Sequence, residues 1–335
     1  MPTRPAHGFG SPVFRVPADV VSFGQEDFLA KIAVKFAPAP TLHPSRQIVP
    51  PGRLLARGKG WSISDVICTA GPKDRSFEEQ HSGVSIGMVL EGTFQYRSSV
   101  GRELMTPGSL LLGNPGQYFE CGHEHAPGDH CIAFHFDPEY FETLAEECGV
   151  PIGRRYFSSL RVPPVKELSA LVARAAASLA GAADTRDWEE ISVELALRAL
   201  ENRNDRASQP DNSLAAEARI TRIVRVIEER PELDHELGSL AREARLSRYH
   251  FLRVFQQLTG LTPHRYLRRL RLRRAATRLA LEPAQVLEIA LDSGFGDISN
   301  FNHAFQAEFG LNPRSFRKSA MHPHSPLRRS EPAAR

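Results

Sequence analysis

The sequence lacks the features that mark a membrane protein, a secreted protein or a disulfide-stabilised scaffold. Its 335 residues include only four cysteines, Cys68, Cys121, Cys131 and Cys148, too few for a disulfide framework in a chain of this length. No stretch approaches the ~20 apolar residues that span a bilayer. Residues 1–10 lack the apolar segment of a secretory signal peptide. These absences predict a soluble, cytoplasmic protein with reduced thiols and no membrane partner.

The sequence also lacks a large excess of charge of one sign, but its charges are unevenly divided along the chain. The net charge of +3 indicates no particular partner. Residues 1–216 contain 21 basic and 26 acidic side chains, whereas residues 217–318 contain 18 basic and 12 acidic side chains. This asymmetry predicts one domain that binds a polyanion such as DNA and one domain with a different task.

Residues 58–137 contain short β-type segments separated by glycine and proline turns. Val84–Leu90 and Ser109–Leu112 are two of these apolar segments, and Asn114–Gly116 is one of the turns. Closely spaced strands with such turns predict an antiparallel sandwich or barrel. The preceding residues, 1–57, are rich in proline and show no sustained period, so we expect an extended or partly disordered segment there.

Helical periodicity begins near Pro138. Apolar residues recur at helical spacing in Pro164–Ala180 and again in Trp188–Asn202, so residues 138–203 are predicted to be helical. Residues 204–213 are polar and have no apolar period, which predicts a linker.

Two helix-turn-helix patterns lie within residues 214–318, the predicted DNA-binding domain. In the first, Leu237–Gln257, Leu246-Ser247 forms a turn between two short helices, and Ser247 is placed to cap the second helix. The second pattern begins with the apolar segment Val286–Asp292, followed by a turn in which Gly294 is expected to have a positive φ. The remaining residues, 319–335, are rich in proline, serine and arginine and are predicted to be a disordered tail.

The apolar positions of each second helix select the side chains that would face DNA, because the recognition helix enters the major groove by its N-terminal half. Phe251, Val254 and Phe255 are predicted to point inward in the first unit, and Phe301, Ala304 and Phe305 in the second. The predicted outward residues are Ser247, Arg248, Tyr249, Leu252, Arg253, Ser299, Asn302 and His303. Arginine suits guanine and asparagine suits adenine, although any of these side chains would also serve as a phosphate contact.

The segment Pro263–Leu281 joins the two units and is predicted to be a helix with Pro263 near its first position. It contains seven arginines, and no acidic residue occurs from Leu261 to Leu281. Arginine-rich helices are most often solvated surfaces, but the position between two helix-turn-helix units favours contact with phosphates. Arg268 and Arg271 are the predicted contacts.

The C-terminal third resembles the AraC/XylS family of bacterial transcription activators. The residues that carry this resemblance are Gly260-Leu261-Thr262-Pro263, Ile289-Ala290, Gly294-Phe295, Ser299, Phe301, Phe305, Phe309-Gly310, Pro313 and Phe316-Arg317. Phe316 stands where the family usually has tyrosine. The resemblance covers about Leu214–Arg317. It implies two helix-turn-helix units on a rigid connecting helix, with recognition helices in successive major grooves on one face of DNA.

Residues 58–137 resemble, more weakly, the cupin-like sensor domain that often accompanies this DNA-binding domain, through Met105–Leu110 and the turn at Asn114–Gly116. The resemblance implies a small-molecule effector. It also implies that the helices of residues 138–203 form a homodimer interface; packing on the strands is the alternative. The histidine set of metal-binding cupins is absent, since the early strand offers only His81 and no histidine follows Gly108 until His123. Neither enzyme activity nor a metal cofactor is therefore expected.

One cluster of soft ligands remains, on a predicted hairpin containing Cys121, His123, His125 and Cys131. Cysteine and neutral histidine are good zinc ligands, and a pair of thiols would also serve as a redox switch. The alternative is a structural hairpin with buried cysteines and solvated histidines.

The sequence thus predicts a multidomain α and β protein. An N-terminal antiparallel β (cupin-like) barrel with helices would precede a C-terminal all-α domain with two helix-turn-helix units. The leading hypothesis is a sequence-specific transcription factor that binds double-stranded DNA and responds to a small molecule or other signal, with RNA polymerase as a further partner. A cupin-like enzyme fused to a DNA-binding module, and a DNA binder with an inert N-terminal domain, are the alternatives.

Overall fold

The computed structural model describes residues 52–68, 78–122, 129–181, 183–202 and 214–321. The predicted linker, residues 204–213, lies outside the described residues, and so do residues 1–51 and 322–335. One predicted boundary differs at the N-terminus, because Arg53–Gly58 forms a strand within the segment expected to be irregular. It pairs with Trp61–Cys68 across a tight turn at Lys59-Gly60, where Gly60 has a φ of +83°.

The described strands form two antiparallel sheets. The larger sheet has the order β1-β2-β9-β4-β7-β10, and the smaller has the order β3-β8-β5-β6. The strands are β1 (Arg53–Gly58), β2 (Trp61–Cys68), β3 (Glu78–Gln80), β4 (Val84–Glu91), β5 (Phe94–Ser98), β6 (Gly101–Met105), β7 (Leu110–Gly113), β8 (Tyr118–Gly122), β9 (Asp129–Phe136) and β10 (Arg161–Val162). No hydrogen-bonded ladder joins the two sheets among these strands, so the predicted cupin-like fold takes the form of a two-sheet sandwich rather than a closed barrel.

Successive side chains of β9 pack on opposite faces of the larger sheet. Ile132, Phe134 and Phe136 are buried against the helices that cover its outer face. Cys131, on the opposite face, packs with aromatic side chains of the smaller sheet. Successive side chains of a strand point to opposite faces, so one apolar strand serves two separate cores.

The described helices follow the strands and are α1 (Pro138–Glu147), α2 (Ser169–Ala180), α3 (Thr185–Glu201), α4 (Leu214–Glu229), α5 (Leu237–Glu243), α6 (Arg248–Thr259), α7 (Pro263–Leu281), α8 (Val286–Asp292), α9 (Ile298–Phe309) and α10 (Pro313–Met321). The last helix extends to Met321, so the first residues of the predicted disordered tail are helical. None of these described helices is both long and apolar enough to cross a membrane.

The helices of residues 138–203 pack on the outer face of the larger sheet, where Phe141 of α1, Leu171 of α2 and Trp188 of α3 share one core with Phe134. Helix α2 has a second buried face. Its Ala173 belongs to the core of the C-terminal half, beside the second helix-turn-helix unit. Packing on the strands therefore accounts for the apolar faces of these helices, and a role in dimerisation stays a prediction.

The C-terminal half has two cores that share α7. Tyr266, Leu267 and Leu270 from its first half pack with α4, α5 and α6. Leu272 and Leu279 from its second half pack with α8, α9 and α10. The connecting helix is therefore structural to both units, and each unit has an aromatic core of its own.

Candidate DNA-binding surface and effector site

The first helix-turn-helix unit consists of α5 and α6. Ser247 caps α6 as predicted, because its Oγ accepts a hydrogen bond from the backbone N–H of His250 at 3.3 Å. Phe251, Val254 and Phe255 are completely buried, which confirms the predicted inward face. The helix ends at Gly260, whose φ of +81° is left-handed.

The outward face of α6 carries the residues that the sequence selects for DNA contact. Tyr249 is 78% exposed, an unusual degree for so large a side chain. Ser247, Arg248 and Arg253 are exposed as well, and Leu252 is half-buried. Their individual contacts with DNA stay predictions. The exposed His250, adjacent to Tyr249, is a further candidate that the pattern of apolar positions alone did not select.

The second unit consists of α8 and α9. Gly294 has the expected positive φ, at +85°. Asp297 caps α9, since its Oδ1 accepts a hydrogen bond from the backbone N–H of Asn300 at 2.7 Å. Phe301 and Phe305 are completely buried, as predicted, whereas the predicted inward residue Ala304 is half-buried.

The predicted DNA-facing residues of α9 are all exposed: Ser299, Asn302 and His303. Asn300 and Gln306 are exposed on the same helix, and sequence reasoning missed both. Asp297, an N-cap residue directly before the helix, was the signal that would have located the first turn of α9 and so identified Asn300 as exposed.

The arginines of α7 divide into two groups. Arg265 and Arg268 are exposed, so Arg268 stays a predicted phosphate contact. Arg271 has another role. Its guanidinium donates to the carbonyls of Pro231, Gly294 and Leu233 at 2.5, 2.7 and 2.8 Å, and at 3.4 Å to that of Glu232.

Further α7 arginines bind groups of the protein. Arg269 pairs with Glu308 of α9 at 2.6 Å and donates to the carbonyl of Pro164. Arg278 pairs with Glu282 and Asp292. Glu282 directly follows the helix, and Asp292, Glu308 and Pro164 lie farther away in the chain, so the absence of acidic residues between Leu261 and Leu281 did not mean unpaired arginines. The basic helix holds the two units and the N-terminal domain together.

The space between the two sheets is the second candidate site. The inner face of the larger sheet carries small side chains at its centre, because Ser64 and Gly87 lie in register with Ala133, and Ser62 with His135. These central positions remain half-buried although the smaller sheet lies opposite. Small side chains on facing strands leave room for a ligand.

Polar groups line the same space. His81 Nε2 lies 2.7 Å from the hydroxyl of Tyr96, and its ring stacks on Phe119 with 4.2 Å between ring centroids. Burial and the neighbouring His135 lower the pKa of His81 to about 3, so its imidazole is neutral. Burial raises the pKa of Glu79 to about 7, and its Oε2 has no hydrogen-bond partner among the described residues. The space thus offers a neutral imidazole and a phenol hydroxyl beside the ring of Phe119, together with a carboxyl group whose pKa lies near neutrality.

The cysteines face this space too. Cys121 and Cys131 pack in one cluster with Phe119 and Tyr96, and burial raises the pKa of both thiols. Thiolate is the form that reacts with oxidants, so this environment disfavours a redox switch. No group of three metal-ligating side chains occurs within the described residues. His123 and His125 lie outside the described residues, so the zinc-binding alternative for this hairpin is untested.

Models of known protein families match both the N-terminal and the C-terminal part of the chain. An AraC-like ligand binding domain model matches residues 66–224, and a helix-turn-helix domain model matches residues 240–319. The HTH-type transcriptional activator RhaS of Salmonella schwarzengrund is 34% identical over 113 residues, which are 34% of this chain and 41% of that protein. The HTH-type transcriptional regulator MtrA of Neisseria gonorrhoeae is 30% identical over 100 residues, which are 30% of this chain and 33% of that protein.

The matched part of the chain therefore spans between a third and about two fifths of these relatives. Among solved structures, the DNA-binding domain of AdpA in complex with a target DNA is 27% identical. The match covers 32% of this chain and 97% of that domain, with a TM-score of 0.30. A ligand-binding model and a helix-turn-helix model match consecutive parts of one chain, in the order that the fold shows. The chain belongs to the AraC/XylS family of transcriptional regulators.

Proposed function

We propose that this protein is a sequence-specific DNA-binding transcription factor whose N-terminal domain binds a small-molecule effector. The observation that carries the proposal is the pair of helix-turn-helix units on one connecting helix. Each unit buries its aromatic face and exposes polar side chains on the first turns of its second helix. Two such helices on one rigid support suit two successive major grooves of one duplex.

Within this proposal the exposed side chains have distinct tasks. Arg253 would donate two hydrogen bonds to a guanine, and Asn302 would bind an adenine. Ser247, Arg248, Tyr249, Leu252, Ser299 and His303 complete the contacts to bases and phosphates. Arg268 contacts a phosphate and contributes affinity that does not depend on sequence.

The effector would bind between the two sheets, against the small side chains at the centre of the larger sheet and close to His81 and Tyr96. Two hydrogen bonds connect the N-terminal domain directly to the recognition helices. Arg161 of β10 donates to the carbonyl of Leu258, at the C-terminal end of α6, at 2.6 Å. Ser169 of α2 hydrogen-bonds Glu308, at the C-terminal end of α9. The N-terminal domain thus contacts the end of both recognition helices, so a change in its packing would alter their spacing.

This role assigns no catalytic step to the chain, and the relatives named above are regulators. The protein would act in the cytoplasm, where bacterial chromosomal DNA lies. RNA polymerase would be the partner through which transcription is activated, and a second copy of the chain would be a partner on DNA.

The test is selection of genomic DNA fragments by the purified full-length protein, followed by sequencing. A shared motif with two half-sites about one helical turn apart is the expected result. Arg253→Ala should then relax discrimination at one or two positions of one half-site, each by roughly 1–3 kcal/mol.

Arg186→Ala is the matched control, because it removes the same charge from an exposed position of α3 in the N-terminal domain. Selection of fragments without a common motif would refute sequence-specific binding. Equal loss of affinity for selected and random DNA in Arg253→Ala would show that Arg253 contacts a phosphate instead.

A further inference from the structure

The inner face of the smaller sheet brings one acidic side chain next to two aromatic rings. Glu79 of β3 lies directly opposite Phe119 of β8 in the register of the sheet, so both side chains are on the same face. Phe119 packs against the core cluster between the sheets, and its ring is tilted against that of Tyr96, with 5.5 Å between ring centroids. Glu79 is half-buried, and its carboxyl group acts electrostatically on Tyr96 and on Cys121. Glu79 therefore faces the space in which the effector would bind.

Basic side chains of the described strands do not offset the charge of Glu79. The strand register places two arginines on the inner faces, Arg57 of β1 and Arg161 of β10. These strands are the two edges of the larger sheet, where Arg57 is exposed and Arg161 pairs with Glu103 at 3.1 Å. Burial raises the pKa of Glu79 to about 7, because no neighbouring cation compensates for the loss of water around the carboxylate.

Other titratable groups of the inner faces do not supply a positive charge either. Burial lowers the pKa of both histidines and raises the pKa of Tyr96, Cys121 and Cys131, so these five groups are neutral near pH 7. Asp129 is acidic, and it acts on Arg225 of α4. The titratable side chains that share these faces with Glu79 are Cys68, His81, Tyr96, Glu103, Cys121, Asp129, Cys131 and His135. Within the described part of the chain, the acid beside the aromatic pair has no cation of its own.

The larger sheet leaves room for the body of a ligand across from this group. Ser64 and Gly87 are the register partners of Ala133, and all three residues are half-buried. None of their side chains is larger than a hydroxymethyl group, so an aromatic ring or a short alkyl chain can lie on them. Sites for small molecules commonly combine such an apolar surface with a few polar groups that fix the orientation of the ligand.

We propose that the effector is a small ammonium compound with an aromatic or short aliphatic body, whose charged nitrogen lies against Glu79, Phe119 and Tyr96. The ammonium group would donate a hydrogen bond to the carboxylate, and charge-assisted hydrogen bonds are stronger than neutral ones. Aromatic faces attract the same cation, since their π electrons present negative charge to it. The body of the ligand would lie on Ala133 and Gly87. This inference rests on the proposed function for the place of the effector and adds its chemical class.

Calorimetric titration of the full-length protein with phenethylamine and hexylamine tests this class of ligand. Phenethyl alcohol and hexanol are the neutral probes with the same bodies, and phenylpropanoate and hexanoate are the anionic ones. At least one amine should bind, and its alcohol and carboxylate should bind roughly tenfold more weakly or less. Glu79→Gln should weaken binding of that amine by roughly the same factor. Glu120→Gln is the matched control, because Glu120 is adjacent to Phe119 on β8 but pairs with Arg97 on the opposite face of the sheet.

Phe119→Leu is a second variant, in case Glu79→Gln does not fold. It keeps an apolar side chain but removes the ring, so it should weaken binding of the amine more than binding of the alcohol. A purely structural role of Phe119 would weaken both alike.

Proton release is a further signal that a loss of packing would not produce. Because the pKa of Glu79 is about 7, its carboxyl group is mostly protonated at pH 6, and an ammonium ion favours the carboxylate. Amine binding at pH 6 should therefore transfer a proton from Glu79 to the buffer. The transfer is measured as a dependence of the binding enthalpy on the ionisation enthalpy of the buffer, and Glu79→Gln should abolish it.

Absence of binding by both amines would overturn the proposal, and so would equal binding of an amine and its alcohol. Amine binding that survives Glu79→Gln, or that releases no proton at pH 6, would also overturn it. Preferred binding of an alcohol or a carboxylate would refute the ammonium class while leaving an effector site in the N-terminal domain. DNA selection by the same protein reports on sequence-specific binding separately, so either claim can fail while the other stands.

Discussion

Arg271 is expected to matter for the stability of the DNA-binding half rather than for its affinity for DNA. Its guanidinium makes three short hydrogen bonds, to the carbonyls of Pro231, Gly294 and Leu233, and these connect the chain before α5 with the turn of the second unit. The fourth bond, at 3.4 Å to Glu232, is too long to add much. Hydrogen bonds of a charged donor contribute roughly 1.5–3 kcal/mol each when buried.

Arg271 is only half-buried, so about 1 kcal/mol for each of the three short bonds is a reasonable value. Arg271→Ala should therefore lower the free energy of unfolding by about 3 kcal/mol. With a urea dependence of about 2 kcal/mol per molar, the unfolding midpoint should fall by about 1.5 M. Far-UV circular dichroism is the suitable signal, because the DNA-binding half is entirely helical.

Arg268→Ala provides the matched control, since it removes the same charge one helical turn earlier from an exposed position. It should change the free energy of unfolding by less than about 0.5 kcal/mol. It should also reduce the slope of log DNA affinity against log salt concentration by about one. The reasoning is refuted if Arg271→Ala leaves the unfolding midpoint in place and instead reproduces the salt effect of Arg268→Ala.

Three further results are expected. Gly294→Ala should destabilise the second unit by roughly 1–3 kcal/mol in urea unfolding, because its φ is positive and an added Cβ would lie 2.8 Å from a carbonyl oxygen. Gly296→Ala, where the space is open, should have little effect, and equal effects would contradict the argument. Burial raises the pKa of Glu228 to about 7, so its stabilising contribution is complete below the unfolded pKa near 4.5 and is lost as pH rises through 7. The melting temperature should therefore fall between pH 5 and pH 8, and Glu228→Gln should reduce this fall, whereas the exposed Glu229→Gln should not. Peroxide should leave DNA affinity unchanged, because desolvation raises the pKa of the half-buried Cys121 and keeps it a thiol at neutral pH; a loss of affinity that Cys121→Ser prevents would restore the redox hypothesis.

The helix-turn-helix units were predictable because their signals are local. Ser247 lies directly before its helix, and Gly294 lies in the turn that needs its conformation. The buried aromatic positions Phe251 and Phe301 follow the helical period. Each of these features can be recognised from a few neighbouring residues, so the recognition helices and their exposed faces follow from sequence alone.

The roles of Arg269 and Arg271 were not predictable, because their partners lie far away in the chain. Arg269 meets Glu308, which is 39 residues later, and Arg271 meets carbonyls on both sides of it in sequence. The sequence predicted a sandwich or a barrel without deciding between them, and the order of the strands could not be predicted for a similar reason. Strands as short as Glu78–Gln80 and Arg161–Val162 exist only through pairing with distant strands.

The placement of Ala173 has a consequence for how this regulator could be recombined with others. The polar segment of residues 204–213 is the evident place to join a foreign sensor to this DNA-binding half. Yet Ala173 precedes that segment and fills part of the core of the second unit. A chimera cut there would lose this side chain and leave α7 and α9 with an unfilled apolar contact. The linker in the sequence therefore does not coincide with the boundary between the packed cores, because α2 belongs in part to the core of the second unit.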